Sequence, residues 1–226
     1  MNTYAEENYI KAIYQLSERL EENISTNALA EEMRTSAASV TDMLKKLAVK
    51  KLISYRRYKG FKLTAKGNRL ALNVIRKHRL WELFLVDTLK FSWDEVHDVA
   101  EQLEHIKSPK LVDRLDAFLK FPSTDPHGDP IPDEALVFRA KRARRLSELD
   151  HAQTLQISGV ADHSPMFMQF MAKHELSMGG VIHIEERNSY DASLRIKTGN
   201  NKVVFISALA AHNILATPRH VSKKRA

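Results

Sequence analysis

The sequence predicts a mainly α-helical chain with a β-rich C-terminal part, headed by a winged helix-turn-helix. Three observations carry this. The first proline is Pro109 and only Gly60 and Gly67 precede it, so little interrupts helices over the first hundred residues. Two short amphipathic segments joined by a tight break are followed by an alternating apolar–polar stretch around Lys59-Gly60, a helical period giving way to a strand period. From 155 to 215, short apolar runs (VIHI, VVFISAL) alternate with turn signals (SMGG, TGNN), which is a strand pattern.

Each element follows from its residues. Tyr4 to Leu20 carries Tyr9, Ile10, Ile13, Tyr14, Leu16 and Leu20 at helical spacing. Ser25 or Thr26 can cap a short helix, NALAEEM, with Ala28, Leu29 and Met33 facing in. After RTSAAS, Ser36 is an N-cap for ASVTDMLKKLAVKK, with Val40, Leu44 and Leu47 on one face. Such a pair is a helix-turn-helix, whose second helix enters the major groove. Ile53 and Tyr55, then Phe61 and Leu63, make two strands of a hairpin with a basic tip, Arg56-Arg57-Tyr58-Lys59-Gly60. Thr35, Ser36, Ala37, Ala38, Ser39, Thr41 and Asp42 have short side chains that let the backbone approach DNA and reach base edges or phosphates. Lys45, Lys46, Arg56, Arg57 and Lys59 supply positive charge beside them. FPSTDPHGDPIP (121–132) holds four of the seven prolines and marks a loop or boundary.

Charge is sorted along the chain. The formal net charge is +7, from 35 basic and 28 acidic residues. Residues 34–79 carry +13, with Asp42 as the single acid, whereas residues 80–136 carry −8. A basic block inside a folded segment is a nucleic-acid footprint. At 43% hydrophobic and 28% charged the chain is composed like a folded protein. There is no cysteine, which excludes a disulfide scaffold, an iron–sulfur cluster and a thiol nucleophile. No apolar run approaches a membrane span, and the polar, acidic start MNTYAEENYI does not read as a secretory signal, so the expected location is cytoplasmic.

Two segments concentrate metal-ligand chemistry. RKHRLWELFL places His78 and Glu82 four residues apart on one helix face, and SWDEVHDVAEQLEHI contributes His97, Glu101, Glu104 and His105. At helical spacing these last four fall within about 80–180° of Val96, beside the apolar stripe of Val96, Val99, Ala100, Leu103 and Ile106. Imidazole and carboxylate without thiolate suit manganese, iron, cobalt or zinc. HIEER (183–187) lacks the second histidine of a metalloprotease motif and lies in a strand-like stretch, so it reads as structural. The basic block and the ligand segments leave three functions open: a metal-dependent regulator, a metal-dependent nucleic-acid hydrolase, and a metal-independent DNA-binding protein. The basic block precedes the ligand segments as its own module, which favours regulation over cleavage.

With these residues in view, the chain resembles the diphtheria toxin repressor family of metal-dependent transcription regulators, including its manganese-responsive members. The resemblance runs through ENYIKAIYQL, SVTDMLKKL, YRRYKGFKLTAKG, RKHRLWELFL, HDVAEQLEH and SPKLVDRLDAFL. It implies a DNA-binding domain over 1–72, a helical metal-binding and dimerisation domain over 73–147, a small SH3-like β-barrel over 148–217 and a basic tail over 218–226. It also implies a non-enzymatic homodimeric repressor of metal-uptake genes. Such a repressor binds near-palindromic double-stranded operator DNA, with no membrane and no small organic substrate. The family's primary metal position matches Asn8, Glu101, Glu104 and His105, and its ancillary position matches His78, Glu82 and His97. Glu101 stands where iron-type members have cysteine, which shifts preference toward manganese, with iron(II) next and zinc or cobalt as surrogates. Asn8 departs from the family's methionine or aspartate, and Glu7 beside it is a possible substitute. Lys11 stands where manganese-type members can place a further acidic ligand. Third-domain ligands of long members fall near Asp162 and His163.

Overall fold

In the computed structural model, which describes residues 2–19, 24–56, 60–93, 95–138, 143–149 and 154–219, the chain divides into two units. The first comprises residues 1–81, 100–120 and 132–138, and the second 82–99, 121–131 and 139–226. Arg57, Lys59 and most of the basic tail lie outside the described residues, and of Arg56 only the backbone is described.

The first unit is built on α1 (Tyr4–Arg19), which buries Tyr9, Ile10, Ala12, Ile13 and Leu16. Ser25 caps α2 (Thr26–Glu32) by accepting from the Ala28 amide, and Ser36 caps α3 (Ala37–Val49) by accepting from Ser39. Between them Arg34 adopts φ 47° and the Thr35 amide donates to Ala30 O at 2.9 Å. That left-handed residue ends α2 and turns the chain into α3. Strands β1 (Ile53–Arg56) and β2 (Gly60–Leu63) pair antiparallel with Tyr55 opposite Phe61. Ile10, Ile13, Leu29, Val40, Leu47, Leu52 and Phe61 form the apolar core of this winged helix. Each such buried side chain contributes about 1.5–3 kcal/mol.

Helix α4 (Ala65–Asp87) leaves the wing at Gly67, where an added Cβ would lie 2.1 Å from Leu52 O. Only glycine allows the helix to start against that carbonyl. α4 passes into the second unit after Trp81, and α5 (Val96–Leu103) returns to the first at Ala100. Ser108 and Pro109 start α6 (Pro109–Phe118). The Arg76 guanidinium of α4 is buried, donating to Asp116 at 2.7 Å and to the Pro132 carbonyl.

The second unit contains the expected β-rich part. Strands β3 (Arg144–Arg145), β4 (Thr154–Val160), β5 (Val181–Arg187), β6 (Leu194–Thr198), β7 (Val203–Ile206) and β8 (Ile214–Pro218) form one antiparallel sheet in the order β3-β8-β4-β5-β6-β7. Alternate residues point to a common core that includes Leu155, Ile157, Ile182, Ile184, Ile196 and Ile214. HIEER forms part of β5. Two helices interrupt the strand pattern, α7 (Pro165–Lys173) and α8 (Ala208–Asn213). Ser164 and Pro165 are the start signal of α7, and its Phe167, Met168 and Met171 join the same core.

Glu6 ties the start of α1 to the end of α3. Its Oε2 accepts from Thr3 N at 2.9 Å and from Lys50 Nζ at 2.7 Å, while Glu6 N donates to Thr3 Oγ1, a capping box extended by an ion pair. Burial pushes the Glu6 carboxyl up, but Lys50 and Thr3 outweigh it and hold it below its ordinary value. The pair therefore stabilises the folded state above the unfolded carboxylate range and loses that effect as pH falls through the folded value. Glu6→Gln should cost about 1 kcal/mol at neutral pH. In urea unfolding across pH, the difference from wild type should vanish in acid.

Candidate metal centre and DNA-binding face

The residues expected at DNA lie together on the first unit. Thr35, Ser36, Ala37, Ala38, Ser39, Thr41, Asp42, Lys45 and Lys46 are all exposed at the start and along the outer face of α3. The Ser36 hydroxyl is engaged by the helix cap and Thr41 Oγ1 donates to Ala37 O. Lys45 Nζ lies 3.0 Å from Asp42 Oδ1, so the acid of this face is locally neutralised.

The helical wheel put His97, Glu101, Glu104 and His105 on one stripe. The structure separates them, because α5 ends at Leu103 and the following turn carries Glu104 and His105 inward. Glu104 and His105 are buried, while His97 and Glu101 are exposed. In the first unit, Glu104 Oε2 lies 2.6 Å from both His78 Nδ1 and Lys11 Nζ. Lys11 Nζ is also 3.6 Å from Glu101 Oε1. His105 Nδ1 meets Glu7 Oε2 at 2.7 Å and its ring stacks on Tyr4 at 4.7 Å. Of the two α1 candidates, Glu7 rather than Asn8 is therefore the one at hydrogen-bond distance from His105. Asn8 Oδ1 is buried with no hydrogen-bond partner among the described residues. Burial pushes the Glu104 carboxyl up, but His78 and Lys11 more than offset this and hold it low.

The second unit gathers donors around Glu82. His97 Nδ1 lies 3.4 Å from Glu82 Oε1, and His127 Nδ1 lies 3.8 Å from Glu82 Oε2. Glu82, Asp125 and His127 are all buried, and each offers a ligand atom within 4.8 Å of the others. Asp125 Oδ1 accepts from the amides of His127 and Asp129 at 2.8 and 2.9 Å, which fixes the carboxylate. The His163 ring lies 5.2 Å from that of His127 and its Nε2 is 3.7 Å from Asp129 Oδ2. Asp162 instead accepts from the Ser164 amide ahead of α7. Burial pushes the His127 imidazole down, but hydrogen bonding to Glu82 and the charges of Asp125, Glu82 and Asp129 carry it above its ordinary value. A pocket that holds a proton on imidazole this way is electrostatically suited to a cation, and its hard oxygen and nitrogen donors suit a divalent one.

Asp125 and His127 are not among the expected ligands: they lie in the proline-rich loop, whose sequence otherwise marks a loop or boundary. The signal was DPHGDP itself: two acids and a histidine among turn residues. Gly128 shows why the loop has this sequence. It adopts φ 87°, and an added Cβ would lie 2.0 Å from Ser158 O and 2.5 Å from Gly159 Cα. His127 O also accepts from the Val160 amide at 3.0 Å. The loop is thereby pressed onto β4 and His127 is aimed at Glu82.

An exposed recognition helix and a buried carboxylate–imidazole cluster define a metal-responsive, DNA-binding regulator. Comparison with known proteins agrees. The family model for the iron-dependent repressor N-terminal DNA-binding domain matches residues 1–61. The model for the metal-binding and dimerisation domain of the same repressors matches 64–133, and the FeoA domain matches 144–218. The diphtheria toxin repressor of Corynebacterium jeikeium is 29% identical over 80% of this chain and 76% of its own. The HTH-type transcriptional regulator MntR of Oceanobacillus iheyensis is 33% identical over 51% of this chain and 77% of its own. A manganese-dependent transcriptional repressor solved in complex with manganese superposes with a TM-score of 0.82 at 33% identity, covering 95% of this chain and all of that one. The chain belongs to the diphtheria toxin repressor family of metal-sensing, DNA-binding transcriptional repressors. Among the described residues no helix is long and apolar enough to cross a membrane.

Gly128→Ala should displace the DPHGDP loop from β4 and weaken divalent-metal binding by about tenfold or more, as loss of a ligand-orienting contact does. Calorimetric titration with manganese checks this, with the circular dichroism of the helices unchanged.

Proposed function

We propose that the chain is a metal-activated, homodimeric transcriptional repressor that acts in the cytoplasm on near-palindromic operator DNA controlling metal-uptake genes. Manganese is the first candidate for the activating ion and iron(II) the second. The observation that carries the reading is the buried Glu82–Asp125–His127 set, since two carboxylates and an imidazole at such close range are the hard oxygen and nitrogen donors a divalent ion takes. Glu82, Asp125 and His127 would hold the ion, and the exposed His97 and His163 imidazoles are further donors nearby. The ion supplies the double positive charge that offsets repulsion between the Glu82 and Asp125 carboxylates. The protein's part is to fix those donors, Asp125 through the His127 and Asp129 amides and His127 through the Gly128 turn. In the DNA-binding unit, Thr35, Ser36, Ala37, Ala38, Ser39, Thr41 and Asp42 read the major groove, while Lys45, Lys46, Arg56, Arg57 and Lys59 contact phosphates. A dimer brings two recognition helices to two half-sites.

The test is fluorescence anisotropy on a duplex carrying the promoter of a manganese importer from the same genome. It is run at fixed salt, because phosphate contacts make affinity salt-dependent. Affinity should rise by about tenfold or more when manganese is added to chelator-treated protein, a coupling typical of allosteric regulators. Asp125→Asn combined with His127→Gln should remove that rise. Equal affinity with and without manganese and iron(II) contradicts the proposal.

A further inference from the structure

Lys11 occupies an unusual position for a lysine. It is buried on α1, with Nζ 2.6 Å from Glu104 Oε2, 3.6 Å from Glu101 Oε1 and 3.5 Å from His78 Nδ1. Two carboxylates and an imidazole are the neighbours that a divalent ion takes. The oxygen nearest the ammonium, Glu104 Oε2, also meets His78. An ion bonded to that oxygen at about 2.0–2.2 Å would face the ammonium across a few ångströms of protein that screens charge far less than water does. Lys77 is also buried within electrostatic reach of Glu7 and Glu104, which only partly offset the lowering of its pKa by burial. The residues present do not fit a divalent ion together with Lys11.

We infer that Lys11 is a built-in cation that takes the place of a metal ion among Glu101, Glu104 and His78, so that this centre links α1 to the turn after α5 without metal. Ion binding is then left to the Glu82–Asp125–His127 centre, a step that rests on the function proposed above. A covalently attached ammonium cannot dissociate, so this link is permanent and does not sense ion concentration.

The experiment is manganese stoichiometry of the full chain by equilibrium dialysis and elemental analysis, after chelator treatment. Wild type should bind one ion per protomer, and Asp125→Asn with His127→Gln should abolish it. Lys11→Glu should raise the count to two, and adding Glu104→Gln should return it to one. A second ion on wild type that Glu104→Gln removes overturns the inference, as does a folded Lys11→Glu protein that still binds one. If Lys11→Glu does not fold, Lys11→Gln in the Asp125→Asn, His127→Gln background replaces it. That protein should melt at a higher temperature with manganese than without, and an unchanged melting temperature overturns the inference. Wild type that binds no ion, with Lys11→Glu binding one that Glu104→Gln removes, sinks the Glu82 centre and leaves Lys11's role supported.

Discussion

The Glu104 carboxylate is the constraint on which the first unit depends. It is 1% exposed and sits in the turn after α5, where ending the helix at Leu103 drives it inward. A carboxylate so far from water costs several kcal/mol unless it is paired and hydrogen-bonded. Here the compensation comes from Lys11 and His78, one from α1 and one from α4. Three separate chain segments must therefore meet before this charge is tolerated, which couples the position of α1 to that of the helices carrying the other partners. The second such junction is Arg76, whose guanidinium joins Asp116 and the Pro132 carbonyl within the same unit.

The second unit meets the same electrostatic problem differently. Glu82 and Asp125 are buried beside His127, each offering a donor atom within 4.8 Å of the others. The backbone supplies part of the compensation, through the two amides that bind Asp125 Oδ1. Hydrogen bonding to Glu82 and the charges of Asp125, Glu82 and Asp129 raise the His127 imidazole above its ordinary value against the opposing effect of burial. On the function proposed, the Glu104 centre is closed by the Lys11 ammonium and the centre around Glu82 is open to an exchangeable ion. Only the open one can report ion concentration, because a sensor must be able to lose what it senses.

Much of the fold was legible in the residues. Ser25, Ser36 and Gly60, the last at φ 70°, mark the caps and wing because each solves a local backbone problem that few residue types can solve. Helix α7 was not foreseen, since FMQFMA is apolar on most sides and reads equally as a buried strand until Ser164-Pro165 is taken as its start. The metal chemistry was legible in residue type but less so in grouping. The helical wheel assumes that a helix continues, and α5 stops one residue before Glu104, so residues of one stripe became a buried pair and an exposed pair. Asp125 and His127 were hidden because their partner Glu82 lies about forty residues away in sequence, a distance over which periodicity carries no information. Lys11 registered as a departure from a family pattern, and only the geometry shows its ammonium against Glu104.

If the exchangeable ion sits among Glu82, Asp125 and His127 while Lys11 fills the centre at Glu104, the two centres differ in whether they can hold a metal. Anomalous diffraction at the manganese edge from crystals grown with manganese tests it most directly. A peak bounded by Glu82, Asp125 and His127 is expected, and none within coordination distance of Glu104. A peak at Glu104 with the Lys11 ammonium displaced, or no peak at Glu82, would contradict it.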